Sequence, residues 1–413
     1  MSDQTKRHCM IVHAFYPLAE TRVQREAEAL IDQGYQVDVL CLRGSRESSE
    51  AQHCGVHIYR LPVTLRKRGK FSVQMLNYLH FFLLAMIKLT LLHRRYGYHS
   101  IQVHNLPDFL VFCAWLPKLQ GVPVILDLHD LMPEFFAART GRPMSHWFVR
   151  LVVLQERLAC RFADHIITVT ELWRQALIER GVPAHKVSVV MNVADGKVFR
   201  GDIASLPSTK NDQFHIIYHG TQTYRYGIDL LLHAADHVRD RIPEMHLTIH
   251  GSGDYTENLL QLANQLELGD RVTFSTTFVS LEDLSTMIRS ADVGVVPYRR
   301  DIFTDGILPT KLLEYVALGV PVIAARIPAI EAHFDETMVE YFTPENVDEL
   351  ASCILKLYYD SAYRATLAKN ANDFNQQYNW LKLSAEYVEL INNLVTRKNH
   401  AIEPSAQCAQ TKY

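Results

Sequence analysis

The chain has 413 residues, 48% apolar and 21% charged, with a net charge of −3 and a pI near 6.7. That length suffices for two domains with separate cores, and without an excess of clustered basic residues a dedicated nucleic-acid binder is excluded. The seven cysteines, at 9, 41, 54, 113, 160, 353 and 408, include no C-x-x-C pair and read as reduced thiols of a cytoplasmic protein.

Residues 1–17 run straight into a strand and are too short in apolar length for a secretory signal. The first half then alternates apolar strands with helical patterns, which predicts parallel β-α-β units. CMIVHAF, VDVLCL, IQVHN, VPVILDLH and HIITVT are the clearest strands, and ETRVQREAEALIDQG between the first two is an amphipathic helix stopped by Gly34. The first strand leads into HAFYPLAETRV rather than G-x-G-x-x-G, which disfavours a dinucleotide cofactor.

Ligands of doubly wound sheets sit beyond the carboxyl ends of the strands. There this chain places Tyr16, Thr21, Arg22 and Arg25, then Arg43, then His104, Asn105 and Asp108, then His129, Asp130 and Glu134. Asp130 and Glu134 also read as acids at a helix N-terminus. Between two of these strands, Met75 to Leu92 is strongly apolar, but Asn77, His80 and Lys88 make it a poor membrane-spanning segment. Arg66, Lys67, Arg68 and Lys70 precede it, and Arg94 and Arg95 follow. The pattern is compatible with a helix lying on an anionic membrane surface; the alternative is a mostly buried domain helix with a basic rim.

After the helix, turn and strand of 169–193, periodicity is lost and Gly, Pro, Ser and Asp accumulate, marking a linker at 196–212. The second half resumes with FHIIYHG, which delivers Gly220 to the loop TQTYRYG, and with MHLTIHGSGD, carrying Gly251 and Gly253. RVTFSTTFVS follows, with Thr277, Phe278 and Val279 placed to contact a base, and then ADVGVVPY, ending at Tyr298. Asp305 to Ala325 reads as loop, short helix, turn and buried strand: Pro309 presets the first turn, Lys311 to Leu318 are helical and Gly319 stops the helix. A cation in a first helical turn is disfavoured by roughly 0.3 to 1 kcal/mol, so Lys311 makes sense beside a bound anion such as phosphate. Glu314, one turn on, could take two ribose hydroxyls; the pair also reads as an ordinary i,i+3 surface contact.

This stretch resembles the donor-site signature of glycosyltransferase family 4, in the variant LP-x-K-L-x-E-Y followed by A-x-G-x-P-V-I. The Arg22-Val-x-Arg25-Glu26-Ala pattern, VHN-x-P-D at 103–108 and HDLMPE at 129–134 are similar to that family's acceptor-side loops. The resemblance implies an α/β fold of two doubly wound Rossmann-like domains facing a central cleft. It also implies an acceptor-binding domain at 1–195, a nucleotide-sugar-binding domain at 213–378 and a helix at 379–396 that returns to the first domain. A disordered tail would occupy 397–413.

The implied activity is retaining transfer of a hexose-type sugar from a nucleoside-diphosphate sugar to a saccharide or lipid-linked saccharide, without metal or other cofactor; the stretch from Phe71 to Arg95 favours a polyprenyl-linked saccharide on the inner membrane face. Lys311 would bind the diphosphate, Glu314 the ribose, and His129 would lie beside the transferred sugar. Gly220, Thr221, Gly251, Gly253, Asp305, Gly306, Ile307, Leu308, Pro309 and Thr310 complete the expected donor site, and Tyr16, Arg22, Arg25, His104 and Asp130 the acceptor site. The chain departs from the family at Gly306, where a second glutamate is usual, and at Thr221 and Tyr226, where cations are frequent; Arg225 is expected to supply the missing charge. A nucleotide-sugar 2-epimerase and a non-catalytic partner subunit are the alternative readings of the same scaffold.

Overall fold

The computed structural model of the chain describes residues 5–18, 20–63, 71–200 and 213–402. The basic run Arg66 to Lys70, most of the expected linker and residues 403–413 lie outside them. Two compact units emerge, one from Met1–Met191 with Leu381–Tyr413, the other from Asn192–Trp380.

The first unit is built on eight strands: β1 (Arg7–Ile11), β2 (Gln36–Leu42), β3 (Glu50–His53), β4 (Val56–Leu61), β5 (Ser100–His104), β6 (Val124–Leu128), β7 (His165–Thr168) and β8 (Val187–Val189). Their spatial order is β3-β4-β2-β1-β5-β6-β7-β8, parallel except for the β3–β4 hairpin. The central strands are buried along almost their whole length, as their unbroken apolar runs require when helices cover both faces of a sheet. Among the parallel strands, chain order runs outward from β1 through β2 and β4 in one direction and from β5 in the other, so the switch point lies at the carboxyl ends of β1 and β5. The hairpin was not foreseen. Its two-residue turn, Cys54-Gly55, takes φ of +47° and +81°, with cysteine where asparagine or aspartate is usual.

Helix Trp380–Ile402 belongs to this unit and is tied to it by polar contacts. The Tyr387 hydroxyl donates to Gln102 Oε1 at 2.6 Å, and Asn392 Oδ1 accepts from Lys6 and Tyr35 at 2.9 and 2.8 Å. The helix continues past Arg397, so the expected disordered tail does not begin there.

Helix Phe71–Tyr96 is long and apolar enough to cross a membrane. Phe81, Ala85, Leu89 and Leu92 pack it onto the unit, while Leu76, Leu79, Leu83, Ile87 and Leu91 form an exposed stripe, Leu76 being 64% accessible. The mostly buried helix allowed by sequence is therefore corrected to one with an apolar outer face.

The second unit has six parallel strands: β9 (Phe214–His219), β10 (Met245–His250), β11 (Val272–Ser275), β12 (Val293–Val296), β13 (Val322–Ala325) and β14 (Glu340–Phe342). Their order is β11-β10-β9-β12-β13-β14. Here the switch point falls between β9 and β12, so Gly220 and Tyr298, just beyond those two strands, flank it.

Gly294 in β12 leaves room for Tyr315: a Cβ there would meet the tyrosine ring at 2.5 Å. Gly294→Ala is expected to destabilise the second unit by about 1 to 3 kcal/mol through overpacking. Urea unfolding followed by circular dichroism checks this, and an unchanged midpoint would show that Tyr315 can give way.

Candidate functional site

The second unit's site is assembled around Lys311. Pro309 is the N-cap rather than a first-turn residue, with ψ of 124°, and the helix runs from Thr310 to Ala317. Its buried face holds Lys311, Leu312, Leu313, Tyr315 and Val316. Lys311 is only 6% exposed, which corrects the surface-pair reading. Its ammonium donates to the Tyr298 hydroxyl at 2.8 Å and lies 4.9 Å from the ring centroids of Tyr218, Tyr226 and Tyr298. Tyr226 stacks on Tyr298, with centroids 4.4 Å apart. The ring faces attract the cation by about 0.5 to 2 kcal/mol each at such distances. Burial nevertheless pulls the Lys311 pKa down to about 7, with Glu314 opposing the shift.

The ammonium rests against Gly220, where a Cβ would sit 3.4 Å from Nζ, and Gly220 takes φ of +111°. A side chain there would thus be strained and would crowd the lysine. Glu314 is the more accessible partner, its side chain 18% exposed, and His219 Nε2 lies 3.1 Å from its carboxylate. Burial, with Lys311 and His250 adding to it, holds His219 well below the ordinary histidine range. A neutral imidazole can orient Glu314 without cancelling its charge. His219, Tyr218 and Tyr298 were not among the expected site residues.

Gly251 and Gly253 have a structural role. A Cβ on Gly251 would come within 2.1 Å of the Gly220 carbonyl oxygen, and one on Gly253 within 2.0 Å of that of Gln222. Gln222 locks the two loops by donating from Nε2 to Gly251 O at 2.7 Å. Arg225 is half-buried and lies over the Phe303 ring at 5.2 Å. Arg299, in the loop after β12, is buried; it forks onto Asp229 at 2.8 and 2.7 Å and covers the Tyr224 ring.

Of the remaining donor-side positions, Asp305 is paired with Arg300 at 3.0 Å, and Gly306, Leu308 and Pro309 are buried. Ile307 and Val279 are half-buried, while Thr221, Thr277 and Thr310 are exposed. Phe278 is 85% exposed, an aromatic face offered to solvent just beyond β11.

In the first unit the strand-end residues form a buried ionic cluster. Arg22 forks onto Asp127 with two bonds of 3.1 Å, reaches Glu26 at 3.1 Å and donates to Val190 O at 2.8 Å. Gln102 donates to both Glu26 and Asp127, at 2.8 and 3.1 Å. Burial works against the Asp127 charge, but Arg22 and His129 outweigh it and hold that carboxyl well below its usual range. Glu26 receives the smaller share of the same cation, and burial pushes it up to about 7.

His104 Nδ1 lies 3.1 Å from Asp127 and 3.0 Å from His129 Nε2. Burial draws His104 down to about 4 despite Asp127, whereas at His129 the carboxylate outweighs burial and raises the imidazole above its ordinary value. His129 alone of the pair reaches the surface, its side chain 19% exposed against none for His104. Asn105 fixes the loop by accepting from His129 N at 2.8 Å and donating to Asp130 O at 2.6 Å.

Three acceptor expectations change in consequence. Arg22 and His104 are sealed beneath His129, and Tyr16 is 1% exposed in the core. Arg25 and Asp130 are half-buried, and Glu134 is a first-turn acid paired with Arg180. The ligand atoms of His104, Asp127 and His129 lie within 4.8 Å of one another, a spacing open to a metal. Both Asp127 oxygens already serve Arg22.

Residues 19–192 match the Glycosyl transferase 4-like domain, and residues 204–374 match Glycosyl transferases group 1. An uncharacterized glycosyltransferase of Methanocaldococcus jannaschii is 25% identical over 381 residues, spanning 88% of this chain and 91% of that protein. Among solved structures, a sucrose-phosphate synthase from Thermosynechococcus elongatus superposes with a TM-score of 0.78 at 21% identity, covering 95% of this chain and all of that one. Anabaena HepE in complex with UDP-glucose does so with 0.70 at 19% identity, covering 94% and 99%. These structural likenesses bear on the fold.

A lysine whose pKa falls from 10.5 to about 7 on folding binds fewer protons in the folded chain than in the unfolded chain throughout that interval. Stability contributed by this site therefore rises with pH across it. Lys311→Met should raise the thermal unfolding midpoint at pH 7, with the gain shrinking toward pH 10. A gain independent of pH would contradict the buried-charge account.

Proposed function

For a chain that belongs to the GT4-like, two-domain glycosyltransferases, we propose a nucleotide-sugar-dependent, retaining hexosyltransferase that acts on a saccharide or lipid-linked saccharide. The observation that carries this reading is the Lys311 corner. An ammonium held out of water has a lowered pKa and no carboxylate within hydrogen-bonding range among its described partners, so a diphosphate would restore its charge. Gly220 and the start of helix Thr310–Ala317 are the backbone that would meet the same phosphates. Glu314, steadied by His219, would take the ribose hydroxyls, and Phe278 would cover the base. The complex of HepE with UDP-glucose supports a ligand of this class on this fold.

In the reaction the bond between the sugar C1 and the β-phosphate oxygen breaks while the acceptor oxygen bonds to C1 on the same face. The acceptor's proton passes to the departing phosphate oxygen. Negative charge grows on that phosphate, and Lys311 together with the helix N-terminus stabilises it, so the scheme requires no metal. His129, whose imidazole Asp127 holds above its ordinary value, is the residue assigned to orient the sugar ring. The six described cysteines are all free thiols and the long helix has an apolar outer face, which suits an enzyme working at the cytoplasmic side of a membrane.

Lys311→Ala and Glu314→Ala are each expected to lower turnover of a nucleoside-diphosphate hexose by about 100-fold or more, the scale of lost charge stabilisation in an enclosed site. Nucleotide release from UDP-glucose and GDP-mannose measures this. Near wild-type turnover by both folded, donor-saturated variants would rule the assignment out.

A further inference from the structure

The first unit contains an apolar cavity of about 440 Å³. Met75 and Tyr78 of helix Phe71–Tyr96 form one side, Met132, Phe135 and Phe136 of helix Met132–Thr140 another, and Phe109 contributes from between them. Its volume is in the range of small-molecule sites, which span about 300 to 1,000 Å³. No part of the ionic cluster lines it, and no carboxylate does.

Two features say what would fill it. The first is position. Leu106 and Pro107 in its wall directly follow Asn105, whose side chain fixes the His129 backbone, and Met132 lies three residues after His129. The loops that present His129 therefore also build the cavity wall. The second is the pattern of polarity. The exposed lining residues include Met75, which is 41% accessible and continues into the stripe of Leu76, Leu79, Leu83, Ile87 and Leu91. Arg139, also exposed, is the single charged residue of the lining. A molecule that matches this has one hydrocarbon chain and an anionic head.

We propose that this cavity binds the hydrocarbon chain of a lipid phosphate, and that the acceptor is the sugar-bearing form of such a lipid, its saccharide near His129 and its chain among Phe109, Phe135 and Phe136. The proposal deepens the transferase reading and rests on it for the acceptor's role, but chain binding itself is independent of the donor. An isoprenyl phosphate and an acyl lysophosphatidate share the required chemistry, and they are separated by experiment.

The test is isothermal titration of the full chain with farnesyl phosphate and, separately, with lysophosphatidic acid, both below their aggregation concentrations, with UDP-induced thermal stabilisation recorded on the same samples. Saturable one-to-one binding of either lipid is expected. Phe136→Arg should weaken it by about tenfold or more, since the apolar contact area is lost. Met75→Arg, at an exposed position, should weaken it too, and serves if Phe136→Arg fails to fold. Arg139→Ala should weaken farnesyl phosphate but not farnesol. Preference for farnesyl phosphate identifies an isoprenoid carrier, and preference for the lysophosphatidate an acyl lipid. No saturable binding of either lipid, or binding indifferent to Phe136→Arg and Met75→Arg, overturns the proposal. If UDP still stabilises the chain in that case, only the lipid site falls; loss of UDP stabilisation with lipid binding retained would instead overturn the donor assignment.

Discussion

The feature on which the second unit's chemistry depends is an ammonium kept almost wholly out of water. Lys311 has a tyrosine hydroxyl and three aromatic faces around it, which steady a cation but do not neutralise it. Folding such a group in its charged form costs stability, and the cost eases as the amine loses its proton. The surrounding chain supports this arrangement. The Gly220 loop beside the ammonium interlocks with the Gly251 loop, and Gly294 makes room for Tyr315, whose hydroxyl accepts from His219 N at 3.2 Å.

The first unit deals with buried charge in the opposite manner. Arg22, Asp127, Glu26 and Gln102 satisfy one another inside the sheet edge, and His129 is the one member that brings the cluster's electrostatics to the surface. Removing one partner of so buried a pair typically costs about 3 to 5 kcal/mol, so the cluster acts as a rigid mount. The residues that sequence placed at strand ends thus divide between His129, which reaches the surface, and Arg22 and His104, which are buried.

Much of this was legible in the residues themselves. Continuous β-branched runs separated by amphipathic segments located eleven of the fourteen strands, because two-sided burial leaves no polar alternation to confuse them. The LP-x-K-L-x-E-Y stretch put Lys311 and Glu314 on one short helix for a local reason: helix geometry puts positions three apart on one face. The tyrosine surround was not legible, since Tyr218, Tyr226 and Tyr298 meet only through the parallel register of β9 and β12. Nor was the burial of Arg22, whose fork onto Asp127 spans 105 residues of sequence. Tyr226 shows how a departure from a family pattern can be absorbed: where a cation is frequent, this chain has a ring that stacks on Tyr298 and faces Lys311.

The most direct measurement is a crystal structure of the full chain with UDP bound. The account predicts the β-phosphate within hydrogen-bonding distance of Lys311 Nζ and the ribose hydroxyls on the Glu314 carboxylate. A nucleotide ordered elsewhere, or Lys311 still donating only to Tyr298 with its corner closed to phosphate, would contradict it.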